Sequence, residues 1–66
     1  MKIVLNGHEQ EIDAPVTLAD VLDVAGYAGR RVAVEVNLEI VPRSRYAEHP
    51  ITAGDRIEIV HAIGGG

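Results

Sequence analysis

The sequence predicts an α+β fold, one helix packed on a mixed sheet of four to five strands in the order β-β-α-β-β-β. Two observations carry this: period-two apolar alternation on both sides of one stretch of helical periodicity, and turns marked by Gly, Pro or Asn between them. With 66 residues, the chain builds one small core, since a domain of this size buries only roughly 60% of its unfolded surface.

Residues Lys2 to Leu5 carry β-branched apolar side chains and run into Asn6-Gly7, a pair that tolerates positive φ at both positions of a two-residue hairpin turn. A returning strand follows from Glu9 to Asp13. The pleat places Met1, Ile3 and Leu5 on one face and Val4 on the other, and Ile12 joins the core from the second strand. Beyond Pro15, Thr17 is a good helix N-cap, Asp20 completes an acidic capping box and Val16 is placed to staple against Val21. Leu18, Val21, Leu22 and Ala25 form one apolar stripe, and Gly26 supplies the stop.

After the loop from Gly26 to Arg31, Val32, Val34 and Val36 alternate with Ala33, Glu35 and Asn37, the pattern of a half-buried central strand. Asn37-Leu38-Glu39 turns the chain into Ile40-Val41, which Pro42 ends or confines to an edge. Arg43 to Pro50 reads as a turn or short helical crossing. Ala53-Gly54-Asp55 is a turn, and Arg56 to Ala62 a last strand, with Ile57 and Ile59 facing the core and Glu58 and Val60 facing away. This order is the ubiquitin-like β-grasp arrangement. Residues 1–63 make the domain, and residues 64–66 a flexible glycine tail.

Composition excludes several functions. Hydrophobic residues at 47% and charged residues at 24% suit an ordinary globular domain, and the absence of Cys removes disulfides, thiolate zinc sites and a nucleophilic thiol. A net charge of −4 speaks against nucleic acid as partner. The apolar stretch at the N-terminus is too short for a membrane span or signal core, so a cytoplasmic protein is expected. His8, His49 and His61 form no ligand-spaced motif, and no metal site is expected. His61, in phase with Ile57 and Ile59, reads as a partly buried strand residue.

The stretch Ile63-Gly64-Gly65-Gly66 carries the most chemistry. At an average Gly usage of about 7%, three glycines at a given place arise roughly three times in ten thousand. Without side chains such a tail threads a narrow channel, which makes Gly64 and Gly65 its leader and the unhindered Gly66 carboxylate its reacting group. A carboxylate reacts with a nucleophile only after conversion to a mixed anhydride, which adenylation with ATP supplies. A sulfur donor attacking that adenylate would leave a thiocarboxylate, a better nucleophile than the original oxygen. Both active sites would lie on partner enzymes, because nothing in the chain combines a nucleophile, a base and an oxyanion hole. The chain would thus be a co-substrate with no catalytic residue and no bound cofactor.

Four stretches, namely Met1 to Gly7, Val32 to Asn37, Ile40-Val41-Pro42-Arg43 and Gly54 to Ile63 running into the glycines, together resemble the ThiS family of bacterial sulfur carriers over essentially the whole chain. Leu38 stands where that family often has Gly, and Tyr46 where Trp is common. The resemblance implies that Gly66 is adenylated by a ubiquitin-activating-like adenylyltransferase, receives sulfur from a donor such as a cysteine desulfurase, and delivers it to thiazole synthase in thiamine biosynthesis. Val4 and Val60 on the outer sheet face, Ile63 and Arg43 are the candidate partner surface. Other readings stay open: a sulfur carrier for molybdopterin or another pathway, a ubiquitin-like modifier joined to lysines through Gly66, and a plain binding module with an inert tail.

Overall fold

A computed structural model describes residues 1–13 and 16–61. Among them, strands β1 (Lys2–Leu5), β2 (His8–Glu11) and β3 (Val16–Thr17) precede helix α1 (Leu18–Val24). Then come β4 (Val32–Val36), β5 (Glu39–Val41), a 3₁₀ helix (Arg43–Glu48), β6 (Pro50–Ile51) and β7 (Arg56–His61). The main sheet has the order β2-β1-β7-β4-β5, with β1 and β7 parallel and every other neighbouring pair antiparallel. The last long strand to be made therefore sits in the middle. The Val-rich β4 is interior, but second from the edge.

The two hairpins close through left-handed residues, Asn6 (φ 50°) with Gly7 (φ 84°) and Asn37 (φ 52°) with Leu38 (φ 71°). Both fit the right-handed twist of the strands they join. At the start of α1 the capping box is complete: the Asp20 N–H donates to Thr17 Oγ1 at 3.3 Å, and the Thr17 N–H donates to Asp20 Oδ2 at 2.9 Å. At its end the N–H of Gly26 donates to Asp23 O and that of Tyr27 to Leu22 O, with Gly26 at φ 88°. This is a Schellman stop. It ends the helix before the apolar stripe reaches Ala25, which is exposed rather than buried as the periodicity predicts.

One core lies between α1 and the sheet, built from Ile3, Leu5, Leu18, Val21, Leu22, Val34, Val36, Val41, Ile51, Ile57 and Ile59. Ile3, Leu18, Val34 and Ile57 are fully enclosed, and each such side chain stabilises the fold by about 1.5–3 kcal/mol. Ile12, Val16 and Tyr46 pack at its margin. Two short strands lie outside the expected order: β3 and β6 pair antiparallel, Val16 with Ile51 and Thr17 with Pro50. Two residues are too few to show a period, and Pro50, lacking an N–H, argued against a strand. The crossing before β6 is the 3₁₀ helix, which packs on α1.

Candidate functional site

The described part of β7 ends at His61, so the expected tail of Gly64, Gly65 and Gly66, together with Ala62 and Ile63, lies outside the described residues. What the structure shows is the ground from which that tail leaves. Central position in the sheet fixes it: β7 is paired with β1 on one side over Arg56 and Ile57, and with β4 on the other from Ile57 to His61.

Alternation sorts the side chains of β7. Ile57 and Ile59 enter the core, while Glu58 and Val60 point away from α1. Across β4 the partners are Ala33 opposite Val60 and Glu35 opposite Glu58, and Ile40 of β5 lies opposite Glu35. Val60, Ala33 and Ile40 thus share the outer face, with Leu38 at the adjoining hairpin tip. Val60 is 60% exposed, Ile40 75% and Leu38 79%, but they are spread over the face: Glu35 and Glu58 lie between Val60 and Ile40, and Leu38 follows Val36, whose partner is Ile57 at the other end of β7.

Val4 shares that outer face but lies away from Val60. Its partner on β7 is Arg56, four residues from Val60, and it is half-buried. At about 3.3 Å per residue the two valines stand roughly 13 Å apart along the strand direction. Arg43 is exposed at the start of the 3₁₀ helix, which packs on α1. Ile40 and Leu38 were not among the residues expected at the site. Their signal was an apolar residue beside Pro42 on a short edge strand and a Leu at a hairpin tip, neither of which a buried position explains.

His61 is exposed rather than partly buried. Its imidazole leans on the half-buried Tyr27 ring, with centroids 6.0 Å apart and planes at 53°, and the Asn6 side-chain amide donates to Tyr27 Oη at 3.4 Å. These contacts pin the end of β7 to the loop after α1. Asp55, in the turn before β7, is the buried charged residue among those described. Burial alone would raise its pKa, but hydrogen bonds from the Thr52 N–H (2.8 Å), Asn37 Nδ2 (3.0 Å) and the Thr52 hydroxyl (3.1 Å), with His49 nearby, bring it below the ordinary 3.8. It orders two turns. Among the described residues no group of three His, Asp or Glu side chains is placed to hold a metal ion, and no helix is long and apolar enough to cross a membrane.

The mixed five-stranded sheet, its single capped helix and the central last strand define a β-grasp domain of the ubiquitin-like class. A crystal structure of the thiamine biosynthesis protein ThiS from Geobacter metallireducens superimposes with a TM-score of 0.87 at 26% identity, both chains being covered completely. Over all 66 residues the chain is 30% identical to the whole of the Escherichia coli sulfur carrier protein ThiS. It is 50% identical to a thiazole synthase of Paramagnetospirillum magneticum and 44% to one of Magnetococcus marinus, spanning 20% of the length of each. The ThiS family model matches residues 3–66. The chain belongs to the ThiS family.

Proposed function

We propose that this domain is a sulfur carrier of thiamine biosynthesis, acting as a protein co-substrate and not as a catalyst. The observation that carries the reading is the glycine run, which follows the central strand β7 in the sequence, and β7 presents Val60 on the outer face that also bears Ala33 and Ile40. A partner that grips that face holds the end of β7 in a fixed place, and residues 64–66 enter its channel as a leader without side chains.

There the Gly66 carboxylate attacks the α-phosphorus of ATP on a ubiquitin-activating-like adenylyltransferase, giving an acyl-adenylate and pyrophosphate. The terminal sulfur of a donor persulfide, of the kind a cysteine desulfurase generates, displaces AMP. Reductive cleavage of the resulting S–S link by a thiol leaves the thiocarboxylate. Thiazole synthase is the acceptor this reading favours, because a domain like this one forms part of polypeptides called thiazole synthase, and joining two domains raises the effective concentration of each for the other. ATP belongs to the activating partner and nothing is held by the carrier between cycles. The cytoplasm, where ATP and reducing thiols are available, is the compartment this chemistry needs.

Intact mass tests the proposal. After incubation with ATP, a competent adenylyltransferase and a sulfur donor, the chain is expected to gain the difference between sulfur and oxygen, and a variant lacking Gly66 is expected to gain nothing. An unchanged mass, with an activating enzyme shown to work on the Escherichia coli carrier, would reject the tail chemistry. Attachment to lysines of other proteins would instead establish a modifier.

A further inference from the structure

The β2 edge of the sheet lies far from Val60 and has its own architecture. β2 reads His8-Glu9-Gln10-Glu11 with all four residues exposed, and among the described strands it pairs only with β1. Between β2 and α1 runs a groove of about 530 Å³. Ile12, Val21 and Val24 give it an apolar floor, and Val24, 84% exposed at the end of α1, is the most open large apolar residue described. Glu11, Asp13 and Asp20 stand at its rim, and no Lys or Arg lines it.

The backbone of this edge is also available. Ile12 N–H donates to Met1 O, and the register pairs Ile3 with Gln10 and Leu5 with His8. Antiparallel alternation makes these the hydrogen-bonded pairs, so the N–H and C=O groups of Glu9 and Glu11 point outward, away from β1. A strand laid beside them would find donors and acceptors in place. A second copy is disfavoured as that strand, because pairing β2 with β2 sets Glu9 and Glu11 against their own kind. The two carboxylates have cationic neighbours, Lys2 Nζ at 3.9 Å from Glu9 and the Met1 amine at 3.0 Å from Glu11, yet their side chains remain 72% and 73% exposed and open to further cations.

We propose that a basic, extended segment of a partner protein docks here as a sixth strand on β2. Its alternate side chains are apolar, entering the groove over Val24 and Ile12, and Lys or Arg, meeting Glu9 and Glu11 on the outer face. The site is independent of the tail chemistry and leaves the Val60 face free, so it stands whether or not Gly66 carries sulfur.

Titration of the labelled chain with the peptide acetyl-Lys-Val-Lys-Val-Lys-amide, followed by amide chemical shifts and hydrogen exchange, tests it. The expected result is shifts at Glu9, Glu11 and Val24, slowed exchange of the Glu9 and Glu11 amides, and a Kd on the order of 1 mM or tighter that weakens with salt. Glu9→Pro removes an outward donor while sparing the ladder to β1 and should abolish the slowed exchange. The double reversal Glu9→Lys with Glu11→Lys should weaken binding about tenfold, and it decides alone if the proline variant fails to fold. Val60→Asp should leave the peptide's Kd and the slowed exchange at β2 unchanged. Shifts confined to Val60 and Ile40, equal binding of a Glu-Val-Glu-Val-Glu peptide, self-association through β2, or no shift would each overturn the proposal.

Discussion

The side-chain amide of Asn37 donates to the Asp55 carboxylate at 3.0 Å, tying the turn after β4 to the turn before β7. The same Asn37 accepts the Arg56 N–H through Oδ1 at 3.0 Å and donates its own N–H to Arg56 O at 2.8 Å. Across β7, Asn6 repeats the device: its Oδ1 accepts the Ile59 N–H at 2.7 Å and its N–H donates to Ile57 O at 2.9 Å. Two left-handed asparagines thus hold the central strand from both sides, and with it the outer-face side chain of Val60.

Asp55 makes stability depend on acid. Its folded pKa lies below the ordinary 3.8, so its contribution is fully present above that value and is lost as pH falls through the lower folded pKa. Urea unfolding at a series of pH values is expected to show an acid limb that Asp55→Asn flattens as pH falls below 3.8. At neutral pH, Asp55→Ala should cost about 2–3 kcal/mol, the scale of losing hydrogen bonds to a buried charge.

Removing the Asn6 side chain should be nearly as harmful. Asn6→Ala leaves the Ile59 N–H without its acceptor and puts Ala at φ 50°, a loss of about 2 kcal/mol by denaturant titration. Asn6→Gly keeps the turn and loses only the acceptor, so a smaller loss is expected. Equal losses would place the whole effect in the hydrogen bond.

Leu38 is expected to behave in the opposite sense. It holds φ at 71° and is 79% exposed, so it gains little packing in return for a left-handed conformation. Leu38→Gly should raise stability by about 0.5–1 kcal/mol, seen as a higher Tm, since relief of backbone strain exceeds the added unfolded-state entropy.

Val60→Asp and Ile40→Asp separate docking from folding. Both residues are exposed, so unfolding free energy should move by no more than about 0.5 kcal/mol. Thiocarboxylate formation at limiting activating enzyme should fall about tenfold or more, since a charge would be buried at the interface. Retained activity in both variants would remove the outer face from the function.

Local pattern settled much of this molecule. Alternation over Val32–Val36 and Arg56–His61, the stripe Leu18-Val21-Leu22, the Thr17 cap and the Gly26 stop were all legible, because burial on one face forces a period and a helix end forces a residue type. The Gly64 to Gly66 run and the chemistry proposed for it come from the sequence alone. Tertiary structure decided the rest. The pairing of β7 between β1 and β4 joins residues as much as 52 positions apart (Val4 with Arg56), and that register separates Val4 from Val60 and sets Ala33 opposite Val60 on the face that also carries Ile40. The link from Asn37 to Asp55, the β3 and β6 pairing and the open β2 groove are likewise contacts between segments distant in the chain. A periodic pattern reports which face of an element is buried, whereas only the assembled sheet determines which elements meet.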